Sequence, residues 1–229
     1  MSRRVGEPID LWRYEREMRA AGFARIAGVD EVGRGPLAGP VIAAAVVLPD
    51  DFDLAGIGDS KKLSEAARER AFARILCGAL AFGVGVLDPE EIDRLNILRA
   101  SQQAMRVALA ALEPAAGVDA VLVDGLPVPN LHAECRALVK GDSLSASIAA
   151  ASILAKVTRD RLMAGEYHAR YPRYGFDRHK GYPTPDHLRA LAEHGPCPLH
   201  RRSFAPVAQC ALRFDEPAGI TGGAEETGG

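Results

Sequence analysis

The 229-residue sequence lacks the marks of several protein classes. Its longest uninterrupted apolar run, residues 41–48, is too short to cross a bilayer, and residues 1–15 hold no apolar signal core. Cysteine is scarce, and no two cysteines have the CxxC spacing of a zinc knuckle or a thiol-exchange motif. We therefore expect a reduced, cytoplasmic protein with no membrane partner. The four cysteines are Cys77, Cys135, Cys197 and Cys210.

An excess of positive charge is also missing. The net charge is −2, whereas a domain that binds a polyanion usually carries a basic excess. The charge is unevenly distributed, because residues 156–202 hold ten lysines and arginines against five aspartates and glutamates, a local charge of +5. Such a stretch is typical of a solvated surface, and it can also form a track for a phosphate backbone.

The order of predicted elements indicates an α/β fold. Val-, Ile-, Ala- and Gly-rich runs predict strands at Arg25–Val32, Pro40–Leu48, Ala79–Leu87, Asp119–Val123 and Glu134–Lys140. Helical spacing and caps predict helices within 1–24 and at Ser64–Leu76, Asn96–Leu112, Leu144–Met163 and Pro185–His194. This alternation predicts a central mixed sheet flanked by helices on both faces.

The composition allows one packed domain. We expect residues 1–24 to form an N-terminal helical extension, residues 25–214 the main domain, and residues 215–229 a disordered tail rich in Gly, Glu and Thr.

Acidic residues follow buried strands at more than one place. Asp30 and Glu31 end the apolar run 26–29, Asp124 ends the run 121–123, and Asp142 stands at a predicted helix start. If the two strands are neighbours, these carboxylates converge. Four hard oxygen donors without His or Cys favour Mg²⁺ or Mn²⁺, and they suit two ions roughly 3.5–4 Å apart that act on a phosphodiester.

Two of these acids have ordinary structural alternatives. Asp142 before Ser143 can be a helix N-cap, and Asp124 with Gly125 can form a turn. Adjacent acids at the end of a buried strand, as at Asp30 and Glu31, have no ordinary structural role.

The segment Gly33–Ala38 matches the relaxed dinucleotide fingerprint G-x-G-x-x-A, with Asp53 twenty residues after Gly33. This leaves a nucleotide-cofactor enzyme as an alternative. The fingerprint requires a helix directly after the glycines, but Pro40 and a β-branched run follow here. We favour a tight loop in which Gly33, Arg34 and Gly35 approach a ligand closely.

Two further motifs combine basic and aromatic residues. Lys61 and Lys62 precede a predicted helix, where they can contact phosphates or belong to a solvated loop. Tyr182 lies in a basic stretch, 178–184, and can stack on a nucleotide or be a partly buried core residue.

Taken together, these motifs resemble ribonuclease HII. The matching blocks are Gly28–Val41, Asp59–Leu63, Asp124-Gly125, Lys140–Asp160 and His179–Tyr182. They occur in the family's order over roughly residues 25–206, which is more specific than any single motif. The short segment before the first strand disfavours the relative ribonuclease HIII, which carries an additional N-terminal domain.

The resemblance implies a ribonuclease H-like fold, with a helical C-terminal part and residues 25–214 as a type 2 catalytic domain. It implies endonucleolytic hydrolysis of RNA in RNA–DNA hybrids and at single ribonucleotides in duplex DNA, leaving a 5′-phosphate and a 3′-hydroxyl. A non-catalytic nucleic-acid-binding module is a further alternative. The tail after Phe214 lacks the paired aromatics of a clamp-binding peptide, so we expect no clamp binding there. We separately expect a monomer.

The resemblance also assigns roles to individual residues. Asp30, Glu31, Asp124 and Asp142 match the family's metal-binding and catalytic carboxylates. The loop Gly33-Arg34-Gly35 matches the one whose backbone contacts the ribonucleotide 2′-hydroxyl. Tyr182 matches a tyrosine that stacks near the next deoxynucleotide, and Lys61 and Lys62 match basic positions near substrate phosphates.

Overall fold

A computed structural model describes residues 10–58, 60, 63–131 and 133–215, and its centre is a mixed five-stranded sheet. The strands are β1 (Ile26–Val32), β2 (Val41–Val47), β3 (Ala81–Leu87), β4 (Ala120–Asp124) and β5 (Glu134–Leu138). Their order is β3-β2-β1-β4-β5; β1 is antiparallel to β2 and β2 to β3, while β1, β4 and β5 run parallel. The predicted central mixed sheet is confirmed.

Strand β2 shows why the sheet is covered on both faces. All seven of its residues are buried, and alternate side chains point to opposite faces. Val41, Ala43 and Ala45 join one apolar core, whereas Ile42 and Ala44 join another. A continuous apolar run is the pattern expected of a strand buried on both sides.

Helices supply the two covering layers. They are α1 (Arg13–Ala20), α2 (Glu65–Gly78), α3 (Pro89–Leu95), α4 (Ile97–Ala116), α5 (Ala146–Leu162), α6 (His168–Arg170), α7 (Phe176–His179), α8 (Pro185–His194) and α9 (Ala205–Asp215). Helix α4 packs on one face, and α2 and α5 pack on the other. Ser64 is the N-cap of α2, and its side chain accepts a hydrogen bond from the Ala67 amide.

Both layers approach the sheet closely at glycines. A Cβ on Gly85 of β3 would lie 2.0 Å from the carbonyl oxygen of Ala104 in α4. A Cβ on Gly28 of β1 would lie 2.0 Å from the carbonyl carbon of Ser147 in α5. Any side chain at either position would therefore push a helix off the sheet.

Helix α1 is fastened to the start of α5. The carboxylate of Glu15 is buried, and its Oε1 accepts hydrogen bonds from the Ser145 hydroxyl (2.6 Å) and from the Ser147 amide (3.0 Å) and hydroxyl (2.6 Å). A carboxylate at this position also interacts favourably with the N-terminal end of the α5 dipole. Residues 1–9 of the predicted extension and 216–229 of the predicted tail lie outside the described residues.

The sequence prediction omitted the short helices α6 and α7 and the longer helices α3 and α9. The start of α3 carries a recognisable signal, since Asp88 accepts from the Glu91 amide as N-cap and Pro89 occupies the first turn. Helix α9 is tied to the domain by Val207 and Cys210, which pack with Leu191 of α8. Its placement depends on this distant contact, which no local pattern reveals.

Across the described ranges, no helix combines the length and the apolar character needed to span a membrane.

Candidate active site

Two adjacent parallel strands bring acidic residues to one edge of the sheet. In the β1–β4 ladder Val29 pairs with Val123, so that Asp30 and Asp124 occupy the next positions on neighbouring strands. Because both strands point the same way, their carboxyl ends meet at the same edge. The sequence did not determine whether these two strands are neighbours in the sheet. The structure places them side by side.

Asp30 is a buried carboxyl group with few compensating contacts. It is only 5% exposed, and its Oδ1 accepts a hydrogen bond from the Glu31 amide at 2.8 Å. Burial raises the pKa of Asp30 well above its ordinary value, and the charges of Glu31 and Asp124 raise it further. A hydrogen bond from Ser152 of α5 acts in the opposite direction.

Glu31 lies beside the arginine of the glycine loop. Arg34 Nη1 donates to Glu31 Oε1 at 3.2 Å, and the Glu31 side chain is 12% exposed. Burial raises the pKa of Glu31, Arg34 opposes that rise, and Asp124 adds to it. Glu31 and Asp124 also line a small cleft against Ser101 and Gln102 of α4.

Asp142 reaches this edge through a tight turn before α5. The amide of Gly141 donates to Asp124 Oδ1 at 2.6 Å, and Asp142 follows in the 3₁₀ turn Gly141–Ser143. Asp142 is 5% exposed. The N-cap of α5 is Ser145, whose hydroxyl accepts from the Ile148 amide, so the N-cap alternative for Asp142 is wrong.

The four predicted acids thus occupy one end of the sheet, although they do not form a closed ligand group. Within the ranges that the structure describes, no three His, Cys, Asp or Glu side chains are arranged to hold a metal ion. The donor chemistry fits Mg²⁺ or Mn²⁺, since carboxylate oxygens are the ligands these ions prefer. The metal site and the roles of its four residues therefore remain predictions.

The glycine loop between β1 and β2 is held from beneath by two arginines. Its carbonyl groups accept hydrogen bonds from Arg159 of α5 and from Arg201, both fully buried. Strand β2 follows the loop directly, so the helix that the dinucleotide fingerprint requires does not occur here. Asp53, the other part of that fingerprint, pairs with Arg74 instead.

Tyr182 lies beside the same loop. Its side chain is 39% exposed, and its ring carbon Cε1 is 3.7 Å from the position a Cβ on Gly35 would take. The backbone around it is fixed, because the Tyr182 amide donates to His179 and its carbonyl lies 2.9 Å from His187 Nδ1. Tyr182 is thus partly exposed beside the loop, and its stacking role stays a prediction.

Lys61 and Lys62 lie outside the described residues. The preceding Ser60 is buried, and its hydroxyl is 2.9 Å from the hydroxyl of Ser152, which also bonds Asp30. This contact places Ser60 close to the acidic edge of the sheet.

The basic stretch 156–202 differs in part from the expected phosphate track. Arg159 and Arg201 are buried and bind backbone carbonyls, so neither can contact a phosphate. Sequence reasoning missed both, because an arginine in a charged stretch resembles a surface residue. Ser152 was missed as a partner of Asp30, since its only signal was a small side chain in an apolar helix.

Comparison with known proteins places this architecture among the type 2 ribonucleases H. The ribonuclease H2 of Pyrococcus horikoshii OT3 superposes with a TM-score of 0.72 at 28% identity, over 85% of this chain and 100% of that chain. A structure described as Bst-RNase HIII in complex with Mn²⁺ shares the fold, with a TM-score of 0.62 at 22% identity, over 84% of this chain and 70% of that chain. The expected ribonuclease H-like fold is confirmed.

The family follows from sequence similarity. The family model for ribonuclease HII matches residues 27–207. The ribonuclease HII of Geobacillus thermodenitrificans is 57% identical over 200 residues, which cover 87% of this chain and 76% of the relative. The chain belongs to the ribonuclease HII family. It is therefore an endonucleolytic ribonuclease H that acts on RNA–DNA hybrids, and enzymes of this class use divalent metal ions.

Proposed function

We propose that the enzyme also nicks duplex DNA at single embedded ribonucleotides, by hydrolysis with two divalent ions that leaves a 5′-phosphate and a 3′-hydroxyl. The observation that carries this proposal is the meeting of Asp30, Glu31 and Asp124 at the carboxyl ends of β1 and β4, beside the loop 33–35. A loop that senses ribose next to acids that bind cations would make substrate recognition and cutting one event.

Asp30, Glu31, Asp124 and Asp142 are the proposed ligands for Mg²⁺ or Mn²⁺. The raised pKa of Asp30 reflects burial and like-charge repulsion, and a bound cation would offset both. Divalent ions held there would supply Lewis-acid chemistry, which makes water nucleophilic and stabilises charge on the leaving oxygen. Ser152 and the Gly141 amide orient two of the carboxylates through hydrogen bonds.

The remaining residues would bind and orient the nucleic acid. The backbone of Gly33, Arg34 and Gly35 would contact the 2′-hydroxyl, the group that separates RNA from DNA. Tyr182 would stack near the next deoxynucleotide, since its ring is half-exposed beside Gly35. Lys61 and Lys62 would contact substrate phosphates.

One assay tests the proposal. Purified protein is incubated with three labelled duplexes, namely an RNA–DNA hybrid, a DNA duplex with one ribonucleotide, and an all-DNA duplex, with Mg²⁺, Mn²⁺ or chelator. We expect metal-dependent cutting of the first two, with the nick at the ribonucleotide and a 5′-phosphate on the downstream product. Cutting of the hybrid alone would refute action at single ribonucleotides.

A further inference from the structure

Two guanidinium groups lie beneath the loop that joins β1 to β2. Arg159 and Arg201 are each 0% exposed, and within the described ranges neither forms an ion pair with a carboxylate. A buried charge is costly unless hydrogen bonds satisfy it. Here backbone carbonyls, most of them from the loop 33–40, provide those bonds.

The contacts of Arg201 cover the beginning and the end of the loop. Its Nη2 donates to the Gly33 carbonyl at 2.5 Å, its Nη1 to the Arg34 carbonyl at 3.1 Å, and its Nε to the Gly39 carbonyl at 3.0 Å. Its own amide donates to the Leu37 carbonyl at 2.9 Å. One side chain thus binds three separate peptide groups of the loop.

Arg159 of α5 also binds backbone carbonyls of the loop. It donates from Nε to the Pro40 carbonyl, from Nη2 to the Ala38 carbonyl and from Nη1 to the Lys180 carbonyl, each at 3.0 Å. Lys180 lies two residues before Tyr182, so Arg159 ties the loop to the segment that carries the tyrosine. A Cβ on Gly33 would lie 2.4 Å from Arg159 Nε, which explains why glycine is needed there.

This arrangement determines where the loop amides point. Across a trans peptide the carbonyl and the following N–H point in opposite directions. Because the carbonyls of Gly33 and Arg34 face Arg201, the amides of Arg34 and Gly35 face away from it. Neither of these two amides donates a hydrogen bond to another part of the described chain.

We propose that Arg201, supported by Arg159, is a positioning residue that turns the Arg34 and Gly35 amides toward the substrate ribose and so sets the preference for ribonucleotides. The inference rests on the proposed recognition of the 2′-hydroxyl by this loop. Burial lowers the pKa of Arg201 to about 9 and that of Arg159 to about 10, so both groups stay charged at neutral pH. Their charge also adds positive potential beneath a loop that would face a phosphate backbone.

The test uses Arg201→Lys, which keeps the charge but cannot span three carbonyls with one nitrogen. In Mg²⁺, KM is measured for a DNA duplex with one ribonucleotide, and Ki is measured for an all-DNA duplex as competitor. We expect the ratio of Ki to KM to fall about tenfold, as expected for the loss of about one hydrogen bond, with Ki unchanged. Arg159→Lys is expected to shift the ratio in the same direction.

Arg189→Lys is the matched control, because Arg189 is an exposed arginine on α8 paired with Asp186. Its ratio should equal that of the wild type. If Arg201→Lys does not fold, Arg201→Gln removes the buried charge and keeps an amide that reaches part of the loop.

The outcomes distinguish the positioning role of Arg201 from the proposed recognition of ribose by the loop. A variant with a lower kcat but an unchanged ratio would show that Arg201 only stabilises the fold, and would overturn the inference. A ratio near one in the wild type would instead overturn the proposed ribose recognition itself.

Discussion

Asp30 shows at the residue scale that this fold holds a side chain which is unfavourable for stability at its position. It is buried next to two other acids, and its raised pKa records the cost of holding charge there. A side chain that only served the fold would be apolar at this point of β1. Such a conflict between the position and the residue type favours a functional site at this edge of the sheet.

We predict that Asp30→Asn removes most of the activity and leaves the protein folded. The substitution keeps the side-chain volume but removes the charge of a proposed cation ligand, so a loss of about 4 kcal/mol of transition-state stabilisation lowers kcat about a thousandfold. Steady-state cleavage of the hybrid measures the loss of activity, and a thermal melt measures whether the protein stays folded. The control is Asp186→Asn, because Asp186 is an exposed acid on α8. Full activity in Asp30→Asn would show that Asp30 does not belong to the site.

For Tyr182 we predict that Tyr182→Phe keeps more activity than Tyr182→Ala. Stacking on a nucleotide needs the ring and not the hydroxyl, and it contributes about 1–3 kcal/mol per base. Cleavage rates of the two variants on the same ribonucleotide-containing duplex provide the comparison. Equal losses would indicate that the hydroxyl carries the function.

At the scale of elements, three buried histidines connect α7, α8 and the segment before α9. His187 Nε2 lies 3.1 Å from His200 Nε2, and the rings of His179 and His187 stack with centroids 4.4 Å apart. The Cys197 amide donates to His200 Nδ1, and His187 Nδ1 contacts the Tyr182 carbonyl. A chain of neutral rings thus supports the backbone that presents Tyr182.

This chain of rings predicts a pH dependence of stability. Burial lowers the pKa of His187 to about 4 and that of His200 to about 3, from 6.5 in the unfolded chain. Between pH 6.5 and these lower values the unfolded state therefore binds more protons than the folded state. The stability due to the neutral rings is present above pH 6.5 and is lost as the pH falls toward 4 and 3.

Denaturant unfolding of wild type and His187→Asn between pH 7 and pH 4.5 measures this effect. Asparagine keeps a donor close to the ring Nδ1 position but does not titrate in this range. We expect the free energy of unfolding to fall less steeply with acidification in the variant. Parallel slopes would show that His187 does not contribute.

The elements also show what local patterns predict. The five strands were predicted within one or two residues of their observed ends, because apolar runs bounded by turn residues indicate buried strands directly. Helices α3, α6, α7 and α9 were missed, and α6 and α7 have only three and four residues. Helix α3 is only seven residues long, and α9 depends on packing against α8.

At the scale of the whole molecule, the sequence indicated the residue types of the proposed site. It did not indicate the strand pairing and the buried arginines that hold these residues in place. Asp30, Glu31 and Asp124 were recognisable because each follows an apolar run. The pairing of β1 with β4 brings them together, and this pairing spans about 90 residues of chain that no local pattern connects. The supporting roles of Arg159 and Arg201 were not predicted for the same reason, since their partners in the loop 33–40 lie more than 100 positions away.

We propose that the acids of β1 and β4 form one site for divalent cations, and crystals grown with Mn²⁺ and measured at the manganese absorption edge show whether they do. We expect anomalous density between the carboxylates of Asp30 and Asp124, within about 2.0–2.6 Å of their oxygens. Saturating Mn²⁺ that leaves this edge without density, or that binds only elsewhere, would contradict it.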